Sequence, residues 1–546
     1  MLIISVLSFP VLISGAKLGY WARVPLVFSV AFLLLSPQMS YVAEAASGDL
    51  DPSFGMGGVV RTDFFGLTDE VRAIAIQADN KVVAVGAVIT PTSGASFGLA
   101  RYDPNGSLDL TFGSGGKVTT DLGGTQEAAE DVAIQPDGKI VVAGHTGAPY
   151  SSDSSDFVVA RYIPNGGLDP TFGVGGVVRT HFAGFSDAAL AIALQPDGKI
   201  VAAGAGVENN EPGGGVFNYS AMARYNTDGS LDQTFGSGGK VRTGGAGIVD
   251  LALQQDGKIV AAAGFTFLLY RFNTNGSPDS NFGSGGHVDN SAIPGALLTS
   301  LGVAIQTDGK IVCAGGARTP SSSTLDFGLV RFNTGGSLDT TFGAGGVAVT
   351  DLGNNEAAWD VAIQTNEKIV ISGTSNERFA TARFNPNGSL DNTFQIATPD
   401  FGCVSQPVSN PISIAYAVAV YPDGKIIAGG TACSPRDFVL ARYNGDSTSR
   451  NLCIQDDANG NLLTLNSVTG DYQFVACSNG LVIGGAGILT KRGDNLTLQD
   501  FGGNRRVLAR IDGGANRATA AVQVLSLATT FTITDRDTRN NNCLCP

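Results

Sequence analysis

The chain has 546 residues, a net charge of −14 at pH 7 and only 15% charged residues. An acidic surface repels phosphate groups, so the composition argues against nucleic acid and anionic membranes as partners. Glycine is abundant, at 74 residues, and hydrophobic residues make up 43% of the chain, which excludes general disorder and favours short strands joined by tight turns.

Residues 1–45 have the features of an export signal. Two basic residues precede an apolar run at 24–35, and a small-x-small cleavage site follows at 43–45. The run is short for a bilayer span, so we expect no membrane span in the mature chain. A second apolar stretch at 2–13 leaves a membrane anchor as the alternative. We therefore predict an exported protein that is secreted, periplasmic or on the cell surface.

From residue 46 onward, one sequence unit repeats along the chain. In its second copy, alternating strands at 132–135 and 139–144 flank a Pro-Asp-Gly turn, and strands at 157–162 and 176–180 flank an Asn-Gly turn. Four strands per unit, at a period of roughly 50 to 60 residues and without an amphipathic helix, are typical of a β-propeller blade. Seven copies of the first turn predict seven blades.

Each unit also carries an Arg in its third strand. Where an Asp follows, it lies eight residues later, as in the pairs Arg101–Asp109, Arg161–Asp169 and Arg224–Asp232. Because these residues are copied from unit to unit, we interpret them as structural ion pairs, and a ring of ligand contacts is the alternative.

The phase of the repeat predicts how the ring closes. Asp51 precedes every repeat Arg, and Arg442 has no Asp eight residues later. We therefore predict an Arg442–Asp51 ion pair. The N-terminal strand around 59–62 would then complete the last blade and leave no free sheet edge.

Three motifs recur in fixed order between about residues 48 and 446: Leu-Asp-x-x-Phe-Gly, Ile-Gln-Pro-Asp-Gly-Lys and Ala-Arg-Tyr-x-Pro-Asn-Gly-Ser. In these motifs the chain resembles the bacterial delta-60 repeat, a β-propeller family without an established biochemical activity. The resemblance implies a propeller and export, and it supplies no catalytic residues. The predicted fold class is all-β, with a seven-bladed propeller over 46–446 that its N-terminal strand closes.

Residues 447–546 lack the motif but still alternate, which predicts a small, all-β, sandwich-like C-terminal domain. Export permits disulfide bonds, and six of the seven cysteines follow residue 400. Their connectivity cannot be deduced from the sequence. The candidates are Cys403 with Cys433, and Cys453, Cys477, Cys543 and Cys545 in the C-terminal domain.

The sequence carries few signs of catalysis or metal binding. Its three histidines lack metal-ligand spacing. The turn 103–109 places oxygen donors at alternate positions, as calcium loops do, but other units lack some of these donors. We therefore predict no cofactor, with calcium as the alternative.

Loop variability indicates where a ligand would bind. One face has short, nearly identical turns, whereas the loops of the other face, here the variable-loop face, differ in length and composition. Repeat scaffolds usually carry function on such loops, although tolerated surface variation is the alternative. The candidate ligand-binding residues are Tyr150, Asp153, Glu208, Asn209, Glu211 and Tyr219.

The favoured function is a binding or scaffold module, expected to be a monomer, for an extracellular glycan or protein. The sequence favours a protein without enzymatic activity. The alternative is an extracellular polysaccharide hydrolase or lyase on a propeller scaffold. Carboxylates of raised pKa, clustered across the axis on the variable-loop face, would favour that alternative.

Overall fold

The structure is a computed structural model. It describes residues 47–124, 126–147, 155–182, 186–209, 216–264, 267–293, 297–298, 301–318, 324–353, 355–394, 399, 401 and 413–446, and beyond these the backbone of eight strands between 451 and 534. The chain divides into two compact units, residues 1–44 and 45–546, and the described residues belong to the second. In that part of the chain no helix has the length and hydropathy needed to cross a membrane. The predicted export signal lies outside it.

In the described part of the repeat region, the regular elements are strands and one 3-10 helix, at Asn290–Ala292. Its strands are β1 (Val59–Thr62), β2 (Asp69–Ile76), β3 (Val82–Thr90), β4 (Gly94–Tyr102), β5 (Lys117–Thr120), β6 (Ala128–Ile134), β7 (Ile140–His145), β8 (Phe157–Tyr162), β9 (Val177–Thr180), β10 (Ser186–Leu194), β11 (Ile200–Asn209), β12 (Val216–Tyr225), β13 (Lys240–Gly244), β14 (Ile248–Leu253), β15 (Ile259–Ala263), β16 (Leu268–Phe272), β17 (His287–Asp289), β18 (Leu297–Leu298), β19 (Gly302–Ile305), β20 (Ile311–Arg318), β21 (Asp326–Phe332), β22 (Val347–Thr350), β23 (Glu356–Ile363), β24 (Ile369–Ser375), β25 (Arg378–Phe384), β26 (Ile414–Val420), β27 (Ile426–Ala432) and β28 (Asp437–Tyr443).

These strands form seven antiparallel sheets, which confirms the seven-bladed propeller. Blades 1 to 6 follow the chain: β2–β5, β6–β9, β10–β13, β14–β17, β18–β22 and β23–β25. Blade 7 combines β26, β27 and β28 with β1, whose residues Val59–Thr62 pair with Phe438–Ala441. The N-terminal strand therefore closes the ring, as the phase of the repeat predicts.

The inner strand of each blade, which directly precedes the hairpin turn, faces a common axis. These inner strands are β2, β6, β10, β14, β19, β23 and β26, and each lies against the next, with β26 against β2. An apolar core fills every interface between neighbouring blades. At the closing interface, Phe438 and Leu440 of blade 7 pack with Val71 and Tyr102 of blade 1. The blades thus share their cores with both neighbours.

The hairpin between the first two strands of each blade has the turn chemistry that its sequence predicts. In blade 2, Gly138 has φ +83°, and its N–H donates to the carbonyl of Gln135. In blade 6, Glu367 takes that place with φ +64°, a conformation that a residue with a Cβ adopts reluctantly. The carboxylate of Glu367 accepts hydrogen bonds from the side chains of Gln306 and Thr307 in blade 5, which offset that strain.

The region after residue 446 also consists of strands. They are β29 (Asn451–Gln455), β30 (Leu462–Asn466), β31 (Asp471–Ala476), β32 (Leu481–Arg492), β33 (Asn495–Asp500), β34 (Arg505–Ile511), β35 (Arg517–Val524) and β36 (Leu527–Thr534). Each pairs antiparallel with the next in chain order. The strands that the alternating sequence predicts here are thus confirmed. The sandwich-like packing of a separate domain stays a prediction.

Candidate functional site at the propeller axis

The repeated Arg–Asp pairs are buried inside the blades. Arg Nε donates to Asp Oδ2 at 2.8 Å in Arg101–Asp109, Arg161–Asp169 and Arg224–Asp232, and at 2.9 Å in Arg442–Asp51. The Arg442 guanidinium carbon also lies 4.5 Å from the ring centre of Phe54, and Arg442 donates to the carbonyl of Pro104 in blade 1. The predicted Arg442–Asp51 pair is confirmed, and the contact with Pro104 links blade 7 to blade 1.

The surroundings of these aspartates keep them ionised. Burial raises the pKa of Asp51, but hydrogen bonds from Lys425 and Ser53 and the charge of Arg442 outweigh it and lower the pKa to about 2. A carboxylate held in this way is a poor proton donor at neutral pH. The structure therefore supports a structural role for the pairs.

The loop residues chosen from the sequence are only partly described. Tyr150, Asp153 and Glu211 lie outside the described residues, and only the backbone of Asn209, at the end of β11, is described. Glu208 pairs with Arg242, whose guanidinium carbon lies 3.9 Å from the ring centre of Tyr219. Tyr219 is buried and donates a hydrogen bond to Asp187 at 2.6 Å. Packing inside blade 3 thus accounts for these contacts of Glu208 and Tyr219, and the ligand role of all six residues stays a prediction.

The cysteines proposed for disulfide bonds lie mostly beyond the described side chains. Cys433 is buried next to β27. Its pairing with Cys403 stays a prediction, as does every pairing among Cys453, Cys477, Cys543 and Cys545.

Six inner strands carry a β-bulge at the same place. In each of them one residue has no paired residue on the second strand of its blade. These residues are Arg72, Glu130, Leu190, Val249, Trp359 and Tyr416. Leu301 holds the same place in the sequence of blade 5. A β-bulge changes the direction of a side chain. In blade 1, Ile76 pairs with Val82 next to the hairpin turn, and Asp69 pairs with Val88 at the other end of the strands. That other end carries the variable loops, and the bulge lies closer to it.

Four of these bulge residues belong to four consecutive blades and form the axial arc: Trp359, Tyr416, Arg72 and Glu130. The rings of Trp359 and Tyr416 meet edge to face, with centres 5.5 Å apart. The Arg72 guanidinium carbon lies 4.9 Å from the centre of the Tyr416 ring. Oε1 of Glu130 lies 3.0 Å from Nε2 of His145. The two other bulge residues, Leu190 and Val249, and the equivalent Leu301 of blade 5 are aliphatic. The ring of these seven residues therefore has a polar, aromatic side and an apolar side.

The axial arc contains charged groups close to one another and partly open to solvent. Arg72 Nη2 donates to Glu70 at 2.8 Å, and its Nε has no hydrogen-bond partner in the described part of the chain. Burial raises the pKa of Glu130, but the hydrogen bond with His145 and the charge of Arg72 lower it below its usual value. Trp359 is 37% exposed. The arc therefore offers an exposed aromatic edge beside a guanidinium.

Three aspartates follow the bulge in alternate blades: Asp131, Asp250 and Asp360 in blades 2, 4 and 6. Oδ1 of each accepts the N–H of the next residue in its own strand. Oδ2 accepts, at 2.7 Å, an N–H from the following blade, where the donor holds the place of the residue after the aspartate. These donors are Ile192, Val303 and Val418. Each carboxylate thus joins two inner strands, and three carboxylates serve six blades. Because seven is odd, blade 1 stays outside this pairing.

Burial raises the pKa of all three aspartates. It raises that of Asp131 to about 7, and the charges of Asp360 and Glu130 add to the effect. Burial and the charges of Asp360 and Asp131 raise the pKa of Asp250. Burial also raises that of Asp360. Carboxylates of raised pKa therefore do surround the axis, but both oxygens of each already accept a backbone hydrogen bond.

The axial arc is not evident from the sequence, because small residues dominate the inner strands. The position can nevertheless be found in the sequence. In every unit it is followed by an Ala, Asp or Gly and then by three apolar residues that end the inner strand, as in Trp359, Asp360 and then 361–363. Aligning the units shows that this position holds Arg, Glu, Leu, Val, Leu, Trp and Tyr in blades 1 to 7.

The comparisons with known proteins identify the repeat. The family described as "Domain of unknown function (DUF5122) beta-propeller" matches seven segments: residues 77–112, 135–172, 195–235, 254–282, 306–342, 364–394 and 422–448. No curated protein matches the chain.

Solved structures resemble the chain at low identity. A streptogramin B lyase has 9% identity and a TM-score of 0.41, covering 70% of this chain and 97% of that one. A chain of a mitotic checkpoint complex has 11% identity and a TM-score of 0.41, covering 78% and 99%. The hydrazine synthase of Kuenenia stuttgartiensis has 15% identity and a TM-score of 0.40, covering 71% and 98%. At these scores the likeness carries no information about activity.

Proposed function

The chain belongs to the DUF5122 β-propeller family, and on this basis we propose that it is an exported binding or scaffold module whose ligand, a glycan or a protein, contacts the axial arc. The observation that carries the proposal is the arc itself: Trp359, Tyr416, Arg72 and Glu130 from four blades, brought together by equivalent bulges.

The composition of the arc supports binding. Trp, Tyr and Arg are the residues that most often carry binding energy in interfaces, because they combine a large contact area with a polar group. Trp359 and Tyr416 also provide adjacent aromatic rings of the kind that contact the apolar face of a sugar. The charged groups of Arg72 and Glu130 would orient the polar groups of either ligand.

The alternative, a polysaccharide hydrolase or lyase, has weaker support. It requires carboxylates whose oxygens can exchange protons with a substrate. The axial aspartates Asp131, Asp250 and Asp360 have raised pKa values, but each oxygen accepts a backbone N–H. Joining the blades explains their positions without catalysis.

A thermal-shift and calorimetric screen against soluble polysaccharides tests the proposal. A ligand at 100 times its Kd should stabilise the protein by about 2.7 kcal/mol. We expect Trp359→Ala to abolish the shift, because it removes the exposed ring of the arc. Leu110→Ala should retain it, because Leu110 is 75% exposed in the loop between β4 and β5, on the face opposite the variable loops.

Three other results would change the interpretation. An equal shift in both variants would place the ligand elsewhere. New reducing or unsaturated ends in the polysaccharide would favour the enzymatic alternative. If no polysaccharide binds, a protein captured by the parent chain but not by Trp359→Ala would identify the partner as a protein.

A further inference from the structure

Three carboxylates meet where the propeller ring closes. One oxygen each of Asp63, Asp69 and Asp437 lies within 4.8 Å of the others. Asp63 follows the closing strand β1, Asp69 begins β2 of blade 1, and Asp437 begins β28 of blade 7. The cluster therefore joins the three segments on which closure depends, and we call it the seam cluster.

Asp69 is the residue of the seam cluster with an unmet bonding requirement. It is fully buried, and its Oδ2 accepts the N–H of Phe64 at 2.8 Å. Its Oδ1 is buried without a hydrogen-bond partner among the described residues. A buried oxygen without a partner is unfavourable, so this atom can accept a ligand that the described residues do not supply.

Three other blades carry an acid at the position of Asp69, and both oxygens of each have donors. Glu127 accepts from the N–H groups of Leu122 and Gly124. Asp187 accepts from the N–H of Phe182 and from the hydroxyl of Tyr219. Glu356 accepts from the N–H of Leu352 and the hydroxyl of Ser375. Among these four acids, Asp69 is therefore the one with an oxygen that has no hydrogen-bond donor in the described part of the chain.

The charges around Asp69 make an uncompensated carboxylate unfavourable. Asp63 and Asp437 place two further carboxylates close to it, and like charges at this distance repel one another. Two cations approach the cluster: Arg61 binds Oδ2 of Asp437, and Lys117 donates to the backbone carbonyl of Asp63 at 3.0 Å. Neither bonds to Oδ1 of Asp69.

We propose that Asp63, Asp69 and Asp437 bind a divalent cation of the calcium type across the closing seam. Carboxylate oxygens are the ligands of hard cations, and calcium ligands lie 2.3–2.6 Å from the ion, so two of them can be up to about 5 Å apart. Water would complete the coordination. The bound cation ties β1 to blades 1 and 7 and thereby stabilises the closed ring.

The site adjoins the axial arc. Glu70 follows Asp69 in the sequence, and Arg436 precedes Asp437. Glu70 and Arg436 form an ion pair, and Glu70 also binds Arg72 of the arc. The cation would therefore hold in place two strand ends that carry groups next to the proposed ligand site.

The test is a titration of the chelated full chain with calcium chloride at pH 8. We expect a rise in Tm and a binding isotherm. Asp63→Asn, an exposed position that leaves the buried residues intact, should weaken binding at least tenfold, and Asp69→Asn should abolish it. Asp351→Asn is the matched control, because Asp351 holds the place of Asp63 in a second acidic cluster whose Glu356 already has donors on both oxygens.

Two results would overturn the proposal. The first is no change in Tm up to about 10 mM calcium, which exceeds the Kd of weak extracellular calcium modules. The second is calcium-dependent stabilisation that Asp351→Asn abolishes and both Asp63→Asn and Asp69→Asn retain.

Discussion

At the scale of residues, two aspartates of blade 2 show how surroundings decide the properties of one side chain. Asp169 accepts hydrogen bonds from Arg161, Lys139 and Thr171, which outweigh its burial and lower its pKa. Asp131 accepts two backbone N–H groups, and burial raises its pKa to about 7, with the charges of Asp360 and Glu130 adding to the effect. The first is a stable anion, and the second is poised to bind a proton.

The Arg–Asp pair of blade 2 predicts a large cost for losing one partner. Asp169→Ala leaves Arg161, whose side chain is 5% exposed, without its carboxylate. Removing one member of a buried pair costs about 3–5 kcal/mol of unfolding free energy. Urea denaturation followed by circular dichroism would measure it.

Asp137→Ala is the control for that measurement. Lys139 contacts Asp137 at 3.5 Å and Asp169 at 3.1 Å, but the side chain of Asp137 is 56% exposed. An exposed pair contributes at most about 1 kcal/mol. Equal losses in the two variants would contradict the structural role assigned to the buried pair.

At the scale of elements, the closing strand is the one whose partners are most distant in sequence. Strand β1 supplies the outer strand of blade 7, and Asp51 before it neutralises Arg442. Without this segment, β28 would expose an unpaired edge and Arg442 would lose its carboxylate. Exposed edges are templates for pairing with another chain.

Deleting residues 46–62 should therefore lower the Tm and produce larger species than the parent chain forms. Calorimetry and size-exclusion chromatography with light scattering would show both effects. A deletion of residues 1–45 serves as the control and should leave the Tm unchanged. If the longer deletion also kept the Tm and the size, closure by β1 would not contribute to stability.

At the scale of the whole molecule, acidic groups make stability depend on pH in two opposite ways. The folded pKa of Asp131 is about 7, above its ordinary value of 3.8, so the folded state binds more protons between these values. Asp69 follows the same rule, with a pKa also raised to about 7. Their contribution to stability therefore grows as the pH falls from 8 towards 5.

The ion pairs act in the other direction at lower pH. The pKa of Asp51 is about 2 in the folded state against 3.8 ordinarily, so its stabilising effect is lost as the pH falls below about 4. Calorimetry with a chelator present should show the highest Tm near pH 4 to 5. A Tm that rises steadily towards pH 8 would contradict the raised pKa values at the axis and seam.

Much of the architecture could be predicted from the chain alone. The turns, the alternation and the Arg–Asp spacing lie within single units, and the unpaired Asp51 and Arg442 revealed the closure. The loop residues selected as ligand contacts were a weaker inference: Tyr219 is packed between Asp187 and Arg242. Loop variability indicates a face of the propeller, but it does not show which side chains on that face remain exposed.

Local periodicity was sufficient for the blades, because turn chemistry and strand alternation act between residues close in sequence. The axial arc and the seam cluster arise only when the ring forms. Arg72 meets Tyr416, and Asp69 meets Asp437, across hundreds of residues. Their contacts depend on a bulge and on the packing of neighbouring blades, which no single repeat unit contains.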